Sequence, residues 1–190
     1  MTQKRNLPRI SFNSPAILCF ALACVATQIL NGLTGGASNR LLFSVYRCSL
    51  LDVLAWPRFV LHVLGHASFS HYIGNMMLIL VVGPPLEEKY GSRPLLWAIA
   101  VTALISGLVH WLFFPGTALL GASGIVFMMI VMSSLSGMKE GYIPITLILV
   151  LLLYVGGEVV DGVVLKDNVS QLTHIIGGIC GALLGLSMRK

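Results

Sequence analysis

Four polar side chains stand inside otherwise apolar stretches of this sequence and could together support acyl transfer: His71, Asn75, Ser123 and His174. A serine hydroxyl is a weak nucleophile until a base takes its proton, and imidazole titrates in the range where it can. Ser123 lies in Gly121-Ala122-Ser123-Gly124, whose small neighbours let another backbone come close. His71 and Asn75 are four apart and share one helix face. Both can donate hydrogen bonds and neither carries a fixed negative charge. Aimed at a carbonyl beside Ser123, they would stabilise the oxyanion formed on attack, and one such donor is worth about 100–1,000-fold in rate. Each residue also has a plainer use. The serine can sit in a glycine-rich packing site, the histidine of residue 174 can bond a backbone carbonyl, and His71 with Asn75 can be polar glue between helices.

The elements that would carry these residues follow from composition. The chain has 190 residues, of which 56% are hydrophobic and 10% charged, with a mean hydropathy of +0.89. Soluble domains are about 25% charged, so a cytosolic globular protein, a disordered chain and a disulfide scaffold are excluded, and the solvent for most of the chain is lipid. Charge-free runs mark the spans, each needing about 20 apolar residues. One span is expected at Pro15–Leu33 and one at about 69–86. Two more fit in 94–138, broken at Phe113-Phe114-Pro115-Gly116, since proline and glycine interrupt helices. Residues 141–157 and 168–188 complete six.

Depth tests whether the four polar residues can meet. At the helical rise, His71 lies about 24 Å above Glu87, Asn75 about 18 Å, Ser123 about 24 Å above Lys139, and His174 about 22 Å above Arg189. All four share one level on three spans. A helix running from Ser123 to Gly137 is only about 22 Å long and cannot cross the core alone. The stretch 113–120 must therefore dip into the membrane as irregular backbone, which is tolerated where it is shielded or lines a water-filled cavity. Ser123 then opens a short helix at the cavity floor, where free N–H groups and the helix dipole favour a negative oxygen. No Asp or Glu lies at this depth, so a catalytic unit would be a Ser–His dyad and not a triad. On the last span, Gly177, Gly181 and Gly185 recur four apart and would let that helix approach another closely.

Six spans put both termini on one side. That side carries Lys4, Arg5, Arg9, Lys89, Arg93, Lys139, Arg189 and Lys190, against Arg40, Arg47, Arg58 and Lys166 on the other, so the termini are expected in the cytoplasm. The net charge of +5 reads as topology and not as a nucleic-acid footprint, because no basic patch accompanies aromatic platforms. The apolar run of the first span exceeds a signal-peptide core, so an uncleaved helix is expected. With only residues 1–14 and 189–190 outside the bundle, no separate regulatory domain is expected. Residues 35–68 form a long outer loop. Its apolar content favours short helices in the lipid interface, with Trp56 at headgroup level, over a loosely ordered surface loop. Cys19, Cys24 and Cys180 read as apolar filler and Cys48 as a lone loop cysteine, so no redox pair is expected. His62 and His66 are four apart, but no His-Glu-x-x-His pattern accompanies them. No metal and no cofactor are expected. His110 and Glu158 read as structural residues near the outer ends of spans.

Taken in order, these motifs resemble the rhomboid family of intramembrane serine proteases. His62-x₃-His66-x₄-His71-x₃-Asn75 with Gly83 and Glu87-Glu88-Lys89-Tyr90-Gly91-Ser92 is similar to the family's second-helix signature and the loop after it. Gly121-Ala122-Ser123-Gly124 is similar to its Gly-x-Ser-Gly motif, and His174-x₂-Gly177-x₃-Gly181 to its sixth-helix histidine and glycines. The resemblance covers residues 15–188. It implies an all-α, six-transmembrane-helix bundle with a short fourth helix carrying the nucleophile. It implies Ser123 as nucleophile, His174 as general base and then acid, and an oxyanion site of the Ser123 N–H, His71 and Asn75. Phe127 stands where the family often has a tyrosine packed on the catalytic imidazole, keeping the ring face without the hydroxyl; with Gly177 and Gly181 it would orient His174. Arg58, in Trp56-Pro57-Arg58, falls where a tryptophan–arginine element braces the outer loop, here with a proline between. The fifth span and its following loop would gate entry of a transmembrane substrate. The cleavage site would have a small residue on its acyl side and helix-weakening residues beyond. The expected partners are transmembrane protein substrates and membrane lipid, in a bacterial inner membrane. A catalytically silent relative that binds transmembrane helices is the alternative. A small transporter would need mid-membrane acids that this sequence lacks.

Overall fold

The computed structural model describes residues 13–136 and 168–188, together with residues 142, 145, 148, 149 and 152. The expected N-terminal tail up to residue 12, Glu158, and all but those five residues of the expected fifth span lie outside the described residues. Seven α-helices are described: α1 (Pro15–Leu33), α2 (Ala37–Leu41), α3 (Ala55–Leu61), α4 (Phe69–Tyr90), α5 (Ser92–Phe113), α6 (Ser123–Ser136) and α7 (Asn168–Ser187). Three of them, α1, α4 and α5, are long and apolar enough to cross a membrane. Large apolar side chains such as Leu22, Val81, Trp97 and Leu183 point outward from the bundle, as lipid-facing residues must.

Local chemistry sets the helix ends. Pro15 occupies the first turn of α1, where its missing N–H costs nothing. Gly35 and Gly36, both with positive φ, turn the chain after α1. Ser68 caps α4, its hydroxyl accepting from the His71 N–H over 3.1 Å. The expected end of the second span near Leu86 is four residues short, because α4 runs on through Pro84 and Pro85 to Tyr90 and stops at Gly91, φ +87°. What holds this last turn is Glu87, which is 3% exposed. Its Oε1 accepts from the Ala16 N–H at 2.8 Å and the Ser92 hydroxyl at 2.6 Å, and its Oε2 from the Ile17 N–H at 2.9 Å. Ser14 makes no side-chain cap of its own, so α1 is capped by a carboxylate from α4.

The outer loop holds the short helices α2 and α3 and a 3-10 turn, His62–Leu64. Arg58 is buried and braces it: Nε donates to the Leu41 carbonyl at 2.8 Å, Nη1 pairs with Asp52 at 3.0 Å, and the guanidinium lies 4.7 Å from the Tyr46 ring centroid. Arg47 ties the same loop to α5, donating to the carbonyls of Trp111 and Leu112 at 2.8 and 3.1 Å. Those carbonyls belong to the last turn of α5 and have no helical donor. Trp56 is 60% exposed. Cys24 and Cys180 are buried, but Cys19 faces outward and fills no core.

At the centre stands α6, which is apolar all round and buried on nearly every side. It runs parallel to α7, since Gly124 meets Gly177, Met128 meets Gly181 and Leu135 meets Gly185. A side chain at Gly177 would fall into the Gly124 carbonyl, and a Cβ at Gly181 would lie 2.5 Å from the Met128 carbonyl oxygen. The glycine spacing thus works as expected: two helices touch backbone to backbone.

Candidate active site

The expected break between α5 and α6 is met, with α5 ending at Phe113 and α6 opening at Ser123. The connection is pinned on both sides. Leu119 and Val45 exchange N–H···O bonds of 2.8 and 2.9 Å, and the Gly121 N–H donates to the His62 carbonyl at 3.0 Å. Gly121 has φ +129°, a conformation suited to glycine, and a Cβ there would lie 2.6 Å from Cε1 and 2.9 Å from Nε2 of His71. The His71 imidazole therefore lies directly on the backbone two residues before Ser123. Ala122 supplies the first helical carbonyl, to Val126, so the Ser123 N–H belongs to the first turn, whose donors no helical carbonyl reaches.

Asn75 follows His71 by one turn on α4 and is 6% exposed, and its Nδ2 has no hydrogen-bond partner. A buried donor of this kind is costly unless something arrives to use it. On the other flank, His174 on α7 faces Phe127, the ring centroids 6.1 Å apart and the planes tilted by 43°. Gly178 leaves room for that ring: a Cβ there would lie 2.7 Å from Phe127 Cε1. Thr173, next to His174, packs against Gly124, next to Ser123. His71 thus approaches the Ser123 turn from α4 and the His174 turn approaches it from α7.

His62 and His66 do not share a helix face. The helix ends at Leu61 and Gly65 is extended (ψ 151°), so their spacing of four does not put them on one face. Each is 1% exposed. His62 Nε2 donates to the Ala103 carbonyl at 3.0 Å and His66 Nδ1 to the Leu64 carbonyl at 3.2 Å, since a carbonyl can only accept. Burial pushes both imidazoles down to about 4, helped for His66 by the adjacent His71 ring. His110 is buried, with Nε2 on the Thr117 carbonyl at 3.2 Å and its ring stacked on Phe114. Nothing in motif or spacing points to Asn39, yet its Nδ2 donates to the His66 carbonyl at 3.0 Å across 27 positions. Its only sequence trace is an amide beside the apolar run of the outer loop.

Comparison with known proteins places the chain in a family. The family description Rhomboid domain matches residues 54–190. The chain is 32% identical over 150 residues to rhomboid protease GlpG of Pectobacterium atrosepticum, covering 72% of this chain and 53% of that protein. It is 31% identical over 142 residues to rhomboid-related protein 1 of Caenorhabditis elegans, covering 69% and 39%. A third relative, rhomboid protease GlpG of Yersinia pestis, is 26% identical over 182 residues, covering 90% and 61%. The chain therefore spans about two fifths to three fifths of the length of these relatives. From the matched domain and the apolar helices, the chain is an integral membrane protein that belongs to the rhomboid family.

Proposed function

We propose that this protein is an intramembrane serine endopeptidase working through a dyad of Ser123 and His174. The observation that carries this reading is the flanking of the α6 start by two histidine-bearing turns, with the His71 ring on Gly121 and the His174 ring facing Phe127. His174 takes the Ser123 proton as Oγ attacks a peptide carbonyl. The oxygen that becomes negative accepts from the Ser123 N–H, from His71 and from the otherwise unpartnered Asn75 amide. Collapse breaks the C–N bond, and His174 gives its proton to the leaving amine. Water, deprotonated by His174, then attacks the acyl-enzyme; the acyl C–Oγ bond breaks, and His174 returns the proton to Ser123 Oγ as the acid product leaves.

The remaining parts of the reading are six spans, both termini in the cytoplasm and a bacterial inner membrane, supported by the eight bases against four on the two sides. The substrate is a transmembrane helix cut near its outer end, with a small residue on the acyl side of the bond.

The test is cleavage of a transmembrane reporter by purified protein in liposomes, with fluorophosphonate labelling in parallel. Wild type is expected to cut and to label at Ser123, and both signals are expected to vanish in Ser123→Ala and His174→Ala. A wild type that neither cuts several reporters nor labels would leave a catalytically silent binder of transmembrane helices as the better reading. Cutting that survives Ser123→Ala would overturn the site assignment.

A further inference from the structure

Asn39 stands on α2 in the outer loop and is 8% exposed. Its own carbonyl accepts the Ser44 hydroxyl at 2.8 Å and the Phe43 N–H at 3.2 Å, so its backbone is fixed. Its side-chain amide reaches to the linker between the 3-10 turn and α4 and donates to the His66 carbonyl. The Asn39 amide is the side-chain donor that this carbonyl receives, so removing it strips a buried acceptor of that bond. Gly65 completes the clasp: a Cβ there would lie 2.9 Å from Phe43 Cβ and 3.2 Å from Asn39 Oδ1. Loop and linker meet at backbone range.

Two routes lead from His66 to His71. Along the backbone, Ser68 stands two residues on and holds the His71 N–H as the cap of α4. Through the side chains, the His66 ring meets the His71 ring edge to face, with centroids 5.2 Å apart and planes at 73°. The His66 ring is held against rotation by its bond to Leu64 and by the Tyr72 ring, 5.5 Å away at 86°. His71 also meets Gly121. Asn39, His66, His71 and the start of α6 form one line of contacts.

From this line we infer that Asn39 is a positioning residue of the oxyanion site: it fixes His66 by the carbonyl, and His66 sets the direction of the His71 imidazole. The inference rests on the serine-protease reading above. It gives the outer loop a part in transition-state geometry, exercised through His71 and not on the substrate.

The test is a double-mutant cycle in the full chain, with Asn39→Leu, His71→Ala and the double variant compared for kcat and KM on the transmembrane reporter. Asn39→Leu is expected to lower kcat about tenfold with KM within about twofold, the pattern of a lost transition-state interaction. In the His71→Ala background the same substitution is expected to change nothing further, because its effect passes through the missing ring. Asn39→Ser, whose hydroxyl cannot reach the carbonyl, carries the same cycle should the leucine variant fail to fold. An undiminished kcat in Asn39→Leu, or losses that simply multiply in the double variant, would overturn the inference while leaving the dyad standing. A wild type that cuts no reporter would overturn the protease reading and this inference with it.

Discussion

Gly181 offers the sharpest test of how the α6–α7 contact sets the site. In Gly181→Ala the new methyl would lie 2.5 Å from the Met128 carbonyl oxygen and 3.0 Å from Met128 Cα. Carbon–oxygen contacts between helices settle at about 3.3–3.6 Å, so α7 must back away by about 0.8–1.1 Å at this level. Met128 is fully buried in the core and cannot yield instead. His174 is seven residues earlier on the same helix, and Phe127, whose ring it faces, adjoins Met128. A displacement near 1 Å costs about 100-fold when it separates reacting groups. Part of the movement is absorbed over two turns, so kcat is expected to fall about 10- to 100-fold, with about 1–3 kcal/mol of destabilisation from overpacking. Gly185→Ala is the control, because its methyl would meet the end of Leu135 at 3.3 Å, which that side chain can relieve, and Met132 Cα at 3.5 Å, an ordinary contact. Its kcat is expected to stay within about twofold. Reporter cleavage in liposomes, with the thermal midpoint measured on the same preparations, separates activity from folding. Equal kcat in the two folded variants would refute the argument, for then the close approach at Gly181 would not set the position of His174.

Asn75→Ala is expected to lower kcat about 100- to 1,000-fold with little change in KM, measured by cleavage kinetics, because its buried amide is held for an oxygen that becomes negative only in the transition state. Phe127→Ala removes the ring facing His174 and is expected to cost about 2- to 10-fold in kcat, whereas Phe127→Tyr should stay within about threefold. Lowering the pH should destabilise the fold through His62 and His66. Their imidazoles are held down to about 4 against a usual 6.5, so the unfolded chain binds their protons first. Stability is full above 6.5 and declines toward 4, by about 1.4 kcal/mol per pH unit for each histidine. Thermal midpoints in detergent between pH 7.5 and 5 would check this, and a flat profile would contradict it.

Much of this molecule is legible because lipid simplifies the rules. Charge-free runs locate α1, α5 and α7 to within a few residues, since a charge inside the core is expensive enough to be absent. The break after Phe113 follows from Pro115 and Gly116, and the meeting of the His71, Ser123 and His174 levels follows from helical rise alone. Legibility stops where one element depends on a distant one. Glu87 serves in the sequence reading as a depth marker and a motif residue, because nothing local tells that its three donors come from Ala16, Ile17 and Ser92. His62 and His66 stand four apart in sequence, but α3 ends at Leu61 and Gly65 is extended, so the two rings bond different carbonyls. Asn39 is invisible for the same reason, its partner being 27 residues away.

The carboxylate cap at the start of α1 also has a bearing on how the protein is made. The first N–H groups of α1 receive their partner from a residue 70 positions later, and that partner is itself held by Ser92 of α5. While only α1 has left the ribosome, those donors have nothing but water and lipid headgroups to bond. The first helix can therefore enter the bilayer early, but its end stays unlocked until the last turn of α4 and the first of α5 have both been synthesised. Synthesis past residue 92 is then the point at which every partner of the Glu87 carboxylate exists, and a chain stalled before residue 87 leaves the first turn of α1 without its cap.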